Sequence, residues 1–376
     1  MRLWLSSHCA LKRLEAPAVY DILSDELYEL DEEGFGFLLS CSAPGGAESG
    51  RNEMVDYCLD EGILATEKVT ARRPDVQQST EPSLRYLELQ ITRRCNLNCA
   101  HCYISPRPDD ELPAEKVERV IADFERMQGL RLLLTGGEPL MHREFNAINR
   151  VLPGYSLRTV LFTNGLLLTE RVLDSLNVQE IQVSIDGLQK GHDALRGQGS
   201  YSSAMAAAQR ALARGFQVSV STMVHPANLG DFDAMDSMFR EMGIRDWTVD
   251  VPCPEGNLRS NPQHGLEPAV AGRYLSYGYG GAIHGGGPGY ACGRHLMSVM
   301  ADGAAAKCAF YAGSPVGNTE EGLERCWSRV EHLRLDELEC DCQYIDECRG
   351  GCRYRAASLG SAKGKDLYRC ALYGKI

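Results

Sequence analysis

Three cysteines stand in a tight C-x3-C-x2-C loop, Cys95, Cys99 and Cys102, followed at once by Tyr103. Thiolates so close can hold three irons of a [4Fe–4S] cubane, which ordinarily takes four cysteines, and leave the fourth iron open to a substrate or cofactor. Structural zinc prefers four ligands in paired C-x2-C arms, and no partner pair lies near this loop. A second cysteine-rich stretch closes the chain: Cys292, Cys308, Cys340, Cys342, Cys348, Cys352 and Cys370. Reducing conditions in a cytosol disfavour structural disulfides, so these thiols call for a metal. Their spacings would also suit zinc thiolate sites. The unclustered thiols among the 15 cysteines, Cys9, Cys41, Cys58, Cys253 and Cys326, read as buried core groups. His101 and the other histidines show no metal-ligand spacing and read as structural or solvated.

What must position the loop is a series of β/α units. Short β-branched or leucine-rich runs predict strands at 85–92, 130–135, 157–163, 180–185, 217–223 and 247–251. Apolar residues at helical period predict helices between them, at 113–127 (Val117, Val120, Ile121 and Phe124 on one face), 202–214 and 229–242. Six parallel strands alternating with helices predict an α/β fold, a partial (β/α)6 barrel with its chemistry at the carboxyl ends of the strands. The cysteine loop follows the first of these strands. Thr135-Gly136-Gly137-Glu138-Pro139 ends the second, Thr163-Asn164-Gly165 the third, and Ser184-Ile185-Asp186-Gly187 the fourth. Read singly, each of the last two is an ordinary turn or cap.

Taken together, the loop and these strand ends resemble the radical S-adenosylmethionine (SAM) superfamily. That resemblance implies that the SAM amino and carboxylate groups chelate the open iron and that SAM is cleaved to methionine and a 5′-deoxyadenosyl radical. It implies cofactor-binding roles for Tyr103, Gly136, Gly137, Glu138, Pro139, Thr163, Asn164, Ser184 and Asp186, with the glycines letting backbone groups approach the SAM amino group. The stretch from His192 to Gly197 resembles one carried by peptide-modifying members, where Arg196 would pair with the SAM carboxylate. The tail, including Val316-Gly317-Asn318, resembles a SPASM domain, which implies two auxiliary [4Fe–4S] clusters and three clusters in all. Family threading gives Cys292, Cys308 and Cys352 to one cluster and Cys340, Cys342, Cys348 and Cys370 to the other. Gly351 lets the chain turn sharply before Cys352.

Two points stay open from the sequence. Cys340 and Cys342 are one residue apart where the family has two, so Cys340 either ligates with altered loop geometry or does not ligate. The first auxiliary cluster lacks a fourth ligand, which Cys326, Cys253 or an open site for a substrate thiolate would supply.

The 376 residues carry a formal net charge of −12, with fifteen Asp and Glu against seven Lys and Arg over the first 80 positions, which argues against a nucleic-acid partner. No apolar run reaches membrane-spanning length, and the start lacks the apolar core of a signal peptide, so no membrane partner and a cytoplasmic location are expected. Residues 66–83 are polar and aperiodic and predict a linker. The small unit before it, 1–65, has two β-rich stretches and two helix-like ones, the outline of a winged helix. It resembles PqqD-like domains that take a precursor's leader peptide as an added strand. Residues 84–252 would be the barrel and 253–376 the SPASM segment. The glycine-rich 277–290 follows no predicted strand and opens no helix, so it reads as a loop at the peptide's entrance rather than a dinucleotide site.

These readings predict a maturase acting on a ribosomally made precursor peptide, with a sulfur–carbon linkage or sulfur-containing ring at cysteines as the product. Carbon–carbon crosslinking and epimerisation use the same parts. A sulfatase-type maturase fits less well, because Ala309 follows Cys308 where that group has an Asp base. A non-catalytic iron–sulfur or zinc protein leaves the strand-end motifs without a role. Asp250 and Tyr311 are candidate general bases by position alone, and a ferredoxin or flavodoxin is the expected electron donor.

Overall fold

The structure is a computed structural model that describes residues 1–105, 108–281 and 287–376. The centre of the glycine-rich 277–290 stretch falls on residues 282–286, outside the described residues. Alternation at period two organises the central sheet. In β7 (Tyr86–Thr92), Leu87, Leu89 and Ile91 are fully buried in the main core. The facing stripe is Val117, Val120, Ile121 and Phe124 of α3 (Ala114–Arg126). Each such side chain contributes roughly 1.5–3 kcal/mol on burial. Glu88 and Gln90, out of phase, turn to the opposite face of the sheet.

The pattern repeats through β8 (Arg131–Gly136), α4 (Phe145–Val151), β9 (Arg158–Thr163), α5 (Glu170–Leu173), β10 (Glu180–Ser184), α6 (Gln189–Arg196), α7 (Ser200–Ala213), β11 (Gln217–Met223), α8 (Phe232–Met242) and β12 (Trp247–Asp250). These six strands pair parallel in chain order, as the sequence predicts. The sheet does not stop there. Beyond β7 it gains β13 (Leu296–Val299), parallel to β7, then β14 (Ala304–Ala306) and β15 (Gly317–Asn318), both antiparallel. The cysteine-rich tail is thus built onto the sheet it was expected to follow. Two of these strands are too short and too alanine- or glycine-rich to carry a strand signal of their own.

The N-terminal unit holds β1 (Arg2–Leu5), β2 (Cys9–Arg13), β3 (Pro17–Asp21), β4 (Glu26–Glu29), α1 (Glu32–Ser42), β5 (Ala47–Glu48), α2 (Glu53–Asp60) and β6 (Leu64–Ala65). Its sheets run β5-β1-β6 and β2-β3-β4. Leu3, Leu11, Val19, Phe35 and Leu38 form its core together with Cys9, Cys41 and Cys58. Side-chain caps start both helices: Asp31 accepts from Gly34 N at 2.7 Å, and Asn52 from Val55 N at 2.8 Å. No helix among the described residues is long and apolar enough to cross a membrane.

Residues 66–83 contain no helix or named strand, yet they are a strap rather than a free linker. Arg72 grips Glu125 of α3 with both nitrogens, at 2.7 and 2.5 Å. Arg73 donates to the carbonyls of Cys9, Leu5 and Ser6. Ser79 N donates to Arg13 O at 2.9 Å, laying the strap along the outer edge of β2. The aperiodic, charged sequence that reads as a linker is explained by these arginine contacts.

The N-terminal unit sits on the amino ends of the barrel strands and is held there by buried cations. Lys12, 1% exposed, donates to Gly129 O at 2.7 Å and Ser156 O at 3.2 Å. Arg158, the first residue of β9 and fully buried, donates to Ile22 O and Leu23 O and pairs with Glu180 at 2.7 Å. Asp25 pairs with Arg131 at the start of β8. Breaking a buried pair from one side costs about 3–5 kcal/mol, because the partner charge stays behind unmatched. Arg158→Ala should therefore lose stability of that size in urea unfolding followed by tryptophan fluorescence, and should speed proteolysis within residues 66–83.

Candidate functional site

The cysteine loop begins where β7 ends, and its place is set by the turn after β8. Gly137 N donates to Thr92 O at 2.7 Å, and Glu138 N to Arg94 O at 2.8 Å. A Cβ on Gly136 would fall 2.4 Å from Thr92 O, and one on Gly137 would fall 2.4 Å from Arg94 O and 2.6 Å from Arg93 O. The two glycines are therefore required because backbone packs on backbone under the loop. Behind Cys102, Gly256 makes a similar approach: a Cβ there would meet Cys102 O at 2.2 Å. Asn257 closes the contact, with its N donating to Cys102 O at 2.9 Å and its Nδ2 to Cys99 O at 2.8 Å. Amides also face sulfur. Leu97 N lies 3.5 Å and Asn164 Nδ2 3.9 Å from Cys95 Sγ, donors that favour a thiolate.

Glu138, a predicted cofactor-binding residue, is fully buried. Its carboxylate accepts from Thr163 Oγ1 at 2.9 Å, Asn164 N at 2.9 Å and Leu140 N at 3.2 Å. Burial pushes its pKa up to about 7, against the pull of these donors. Its side chain thus joins the end of β8 to the end of β9, and the following Pro139 opens a short buried turn. Thr163 Oγ1 also accepts from Gly165 N at 3.0 Å. Asn164 donates to Asn96 Oδ1 at 2.7 Å, which leaves this side chain on the cysteine loop itself.

At the end of β10, Ser184 is half-buried and paired in register with Ser221. Asp186 is fully buried. It accepts from Met223 N at 2.6 Å and from Arg196 Nε. Burial by itself would raise its pKa, but Arg196, His101 and His192 outweigh that and hold it down to about 2. Arg196 is set by this pair within electrostatic reach of Cys99 and Cys102. His192 Nδ1 accepts from Asp186 N at 3.1 Å, and His225 and Asn228 bond the Asp186 carbonyl. These histidines brace the strand end.

Tyr103 points the other way, into the barrel. Its hydroxyl is 3.4 Å from Glu88 Oε1 and accepts from Gln90 at 3.4 Å, and its ring meets Phe310 at 5.1 Å between centroids. Phe310 stacks on Tyr354 at 5.5 Å. Cys308 packs among Leu133, Val160, Leu296 and Phe162, the apolar lining of the barrel interior. The interior thus has the cysteine loop at one wall and a tail cysteine at another, with Glu88, Gln90 and this aromatic bridge between them. Sequence reasoning missed Glu88 and Gln90, whose only signal is a polar residue at alternate positions of a buried strand.

The tail thiols gather in two sets. Cys292, Cys308 and Cys352 lie within electrostatic reach of one another, and Cys253 joins them through Cys352 and Cys308. Cys326 lies apart, fully buried, with Sγ donating to Asn318 O at 3.3 Å. Cys340, Cys348 and Cys370 form the second set. Cys342 shares its segment, with its carbonyl accepting from Ile345 N at 3.0 Å. Asp366 ties the sets together: it accepts from Cys352 N at 2.8 Å and pairs with Arg355 at 2.9 Å. A Cβ on Gly351, at φ +69°, would strike Asp366 Oδ2 at 2.5 Å. Arg355 also pairs with Asp250, so this candidate base is already matched to a cation. Burial pushes the Tyr311 hydroxyl up to about 12, which makes it a poor proton acceptor.

The donor sets can be tested against the metals. One tetrahedral zinc with Zn–S of about 2.3 Å needs sulfurs roughly 4 Å apart. Among the described residues the only three His, Cys, Asp or Glu donors within 4.8 Å of one another are His8, Cys9 and Asp21. The loop and tail cysteines form no such group, and their all-thiol chemistry suits iron–sulfur ligation.

Residues 89–239 match the Radical SAM superfamily. Among curated relatives, the AdoMet-dependent heme synthase of Methanosarcina barkeri is 31% identical over 203 residues, 52% of this chain and 58% of that protein. The mycofactocin maturase MftC of Mycobacterium ulcerans is 26% identical over 307 residues, 71% of this chain and 82% of that protein. The chain spans about half the length of the first curated relatives it matches, 58%, 49% and 40%. Streptococcus suis SuiB bound to precursor peptide SuiA superposes with a TM-score of 0.69 at 15% identity, over 97% of this chain and 99% of that one. The protein anSMEcpe with bound AdoMet superposes with a TM-score of 0.63 at 18% identity, over 77% of this chain and 95% of that one. These superpositions establish an α/β fold with a mostly parallel sheet, within which residues 89–239 match the radical SAM domain. Gly137→Ala should push the cysteine loop off its seat and lower the iron of reconstituted protein by about four per chain. Gly154→Ala, where a Cβ meets nothing within 4 Å, should keep its iron.

Proposed function

We propose that this chain, whose residues 89–239 are a radical SAM domain, is a maturase that oxidises a ribosomally made precursor peptide inside its barrel. The observation that carries this reading is the meeting of two cysteine sites across one interior, through Tyr103 beside Cys102 and Phe310 beside Cys308, at 5.1 Å. SAM bound at a [4Fe–4S] cluster supplies a 5′-deoxyadenosyl radical when it is reductively cleaved. Cys95, Cys99 and Cys102 would hold that cluster, with Arg196 as the cation for the SAM carboxylate. Cys292, Cys308, Cys352 and Cys253 would hold one auxiliary cluster. Cys340, Cys342, Cys348 and Cys370 would hold the other. A ferredoxin or flavodoxin would deliver the electron.

The peptide reading is supported at the N-terminal unit. With the strap laid along β2, β4 is the open edge of the β2-β3-β4 sheet among the described residues, and an extended leader could add there as a fourth strand. Residues 1–65 would then be the recognition unit. The likeness to SuiB, solved with its precursor peptide SuiA, and to MftC, a maturase, supports the same substrate class. A sulfur–carbon linkage at peptide cysteines is the product we favour. A tetrapyrrole substrate is the second reading, favoured by the sequence likeness to heme synthases.

The test is anaerobic turnover with the deuterated peptide encoded beside the gene. Wild type should form 5′-deoxyadenosine that carries deuterium from the peptide. Cys95/Cys99/Cys102→Ala should form none and should hold about eight irons where wild type holds about twelve. Deuterium-free 5′-deoxyadenosine with the peptide, together with turnover of a tetrapyrrole, would decide for the second reading. Cys253→Ala should lose auxiliary-cluster iron, whereas Cys326→Ala should keep it.

A further inference from the structure

Most of the acids of the barrel that are held by a partner side chain have a cation; Glu138 and Glu88 do not. Glu180 has Arg158, Asp186 has Arg196, Asp250 has Arg355 and Glu125 has Arg72. Glu138 faces backbone and hydroxyl donors and is sealed between two strand ends. Glu88 projects from the middle of β7 into the interior, and its partners are neutral: Ser298 Oγ at 2.8 Å on β13, Tyr103 OH at 3.4 Å on the cysteine loop, and the Gln90 amide. Its charge is also felt by Cys308. A carboxylate in this position is unmatched by any cation among the described residues. It stands between the loop where a radical would arise and the tail thiols that would hold an electron acceptor.

We propose that Glu88 is the proton acceptor of the reaction. The inference rests on the peptide-oxidation reading above. In that reaction a peptide C–H gives its hydrogen atom to the 5′-deoxyadenosyl radical, forming 5′-deoxyadenosine. The carbon radical then bonds to a peptide cysteine sulfur. The S–H bond breaks and its proton goes to a Glu88 carboxylate oxygen; the one electron left over would be taken up by an auxiliary iron–sulfur cluster held by the tail cysteines. Atoms and charge balance: two hydrogens leave the peptide, one as an atom and one as a proton plus an electron. Burial supports the role, because it raises the affinity of Glu88 for a proton. Its neutral hydrogen-bond partners pull the other way without overcoming burial, and no arginine pairs with it as Arg196 does with Asp186.

The experiment compares full-length, reconstituted wild type with Glu88→Gln and Glu88→Asp, using the deuterated peptide encoded beside the gene as probe. Glu88→Gln should bind the peptide with unchanged Kd, keep wild-type iron and still move deuterium into 5′-deoxyadenosine. Its crosslinked product should fall about 100-fold or more, the usual contribution of a positioned base. Freeze-quenched samples should show a carbon-centred radical by electron paramagnetic resonance, accumulated well above the wild-type level. Glu88→Asp should recover product to within about tenfold. Product formation by Glu88→Gln near the wild-type rate overturns the proposal. So does a parallel loss of deuterium transfer and product with peptide still bound, which would make Glu88 a positioning residue. If Glu88→Gln loses iron, Glu88→Asp decides by the same ratio of product to 5′-deoxyadenosine. Should wild type itself move no deuterium from the peptide, the function reading fails, a result distinct from any of these.

Discussion

The parallel pairing of β13 with β7, from Leu296 opposite Tyr86 to Val299 opposite Leu89, is the constraint on which the rest of the site depends. It fixes one strand between β8 and β13, so β7 carries a polar face toward the interior and delivers the cysteine loop at its end. The same pairing brings the next turn of chain, with Cys308, into the interior lining. Without it the tail would be an appendage, and the two thiol sites would have no common space. Backbone pairing of this kind is insensitive to side chains, so the geometry tolerates wide sequence drift on either strand.

A second theme is how buried charge is handled. At the amino ends of the strands, carboxylates are met by arginines and lysine ammonium by carbonyls, and the result is a rigid seat for the N-terminal unit. At the carboxyl ends the rule changes. Asp186 is matched by Arg196, but Glu138 there, like Glu88 in the middle of β7, is left with neutral donors, so desolvation raises their pKa values. One of these carboxyls is enclosed and serves the backbone, and the other lies between β13 and the cysteine loop. Burial alone therefore does not distinguish structural from reactive carboxyls; the direction each one faces does.

Much of this was legible in the residues. The six strands fall within a residue or two of where β-branched runs place them, because parallel strands buried on both faces are written as apolar blocks. The three thiols of the loop group by spacing alone, whereas the tail thiols group only through the family resemblance. The fourth thiol of the first tail set could not be chosen, because Cys253 and Cys326 are both isolated in sequence and only tertiary packing separates them. The sequence reads the glycines of the second strand end as an approach to SAM, and the structure shows them against the backbone of Thr92 to Arg94. Asp250 looked available from its position, and its partner Arg355 lies more than a hundred residues on. The strap at 66–83 reads as a linker because its order comes from arginine contacts with distant carbonyls, which leave no periodicity.

The seat of the N-terminal unit has a further consequence. It grips the amino ends of the strands, while the cysteine loop caps their carboxyl ends, and the seven residues of β7 separate the two. At about 3.3 Å per residue that is roughly 23 Å of extended chain. Because the seat is clamped by buried charges, this distance behaves as a ruler. On the proposed function, a peptide anchored on the N-terminal unit would present to the interior only those residues that lie a set number of positions away. Which residue is modified would then be chosen by counting along the peptide as much as by recognising the residue itself.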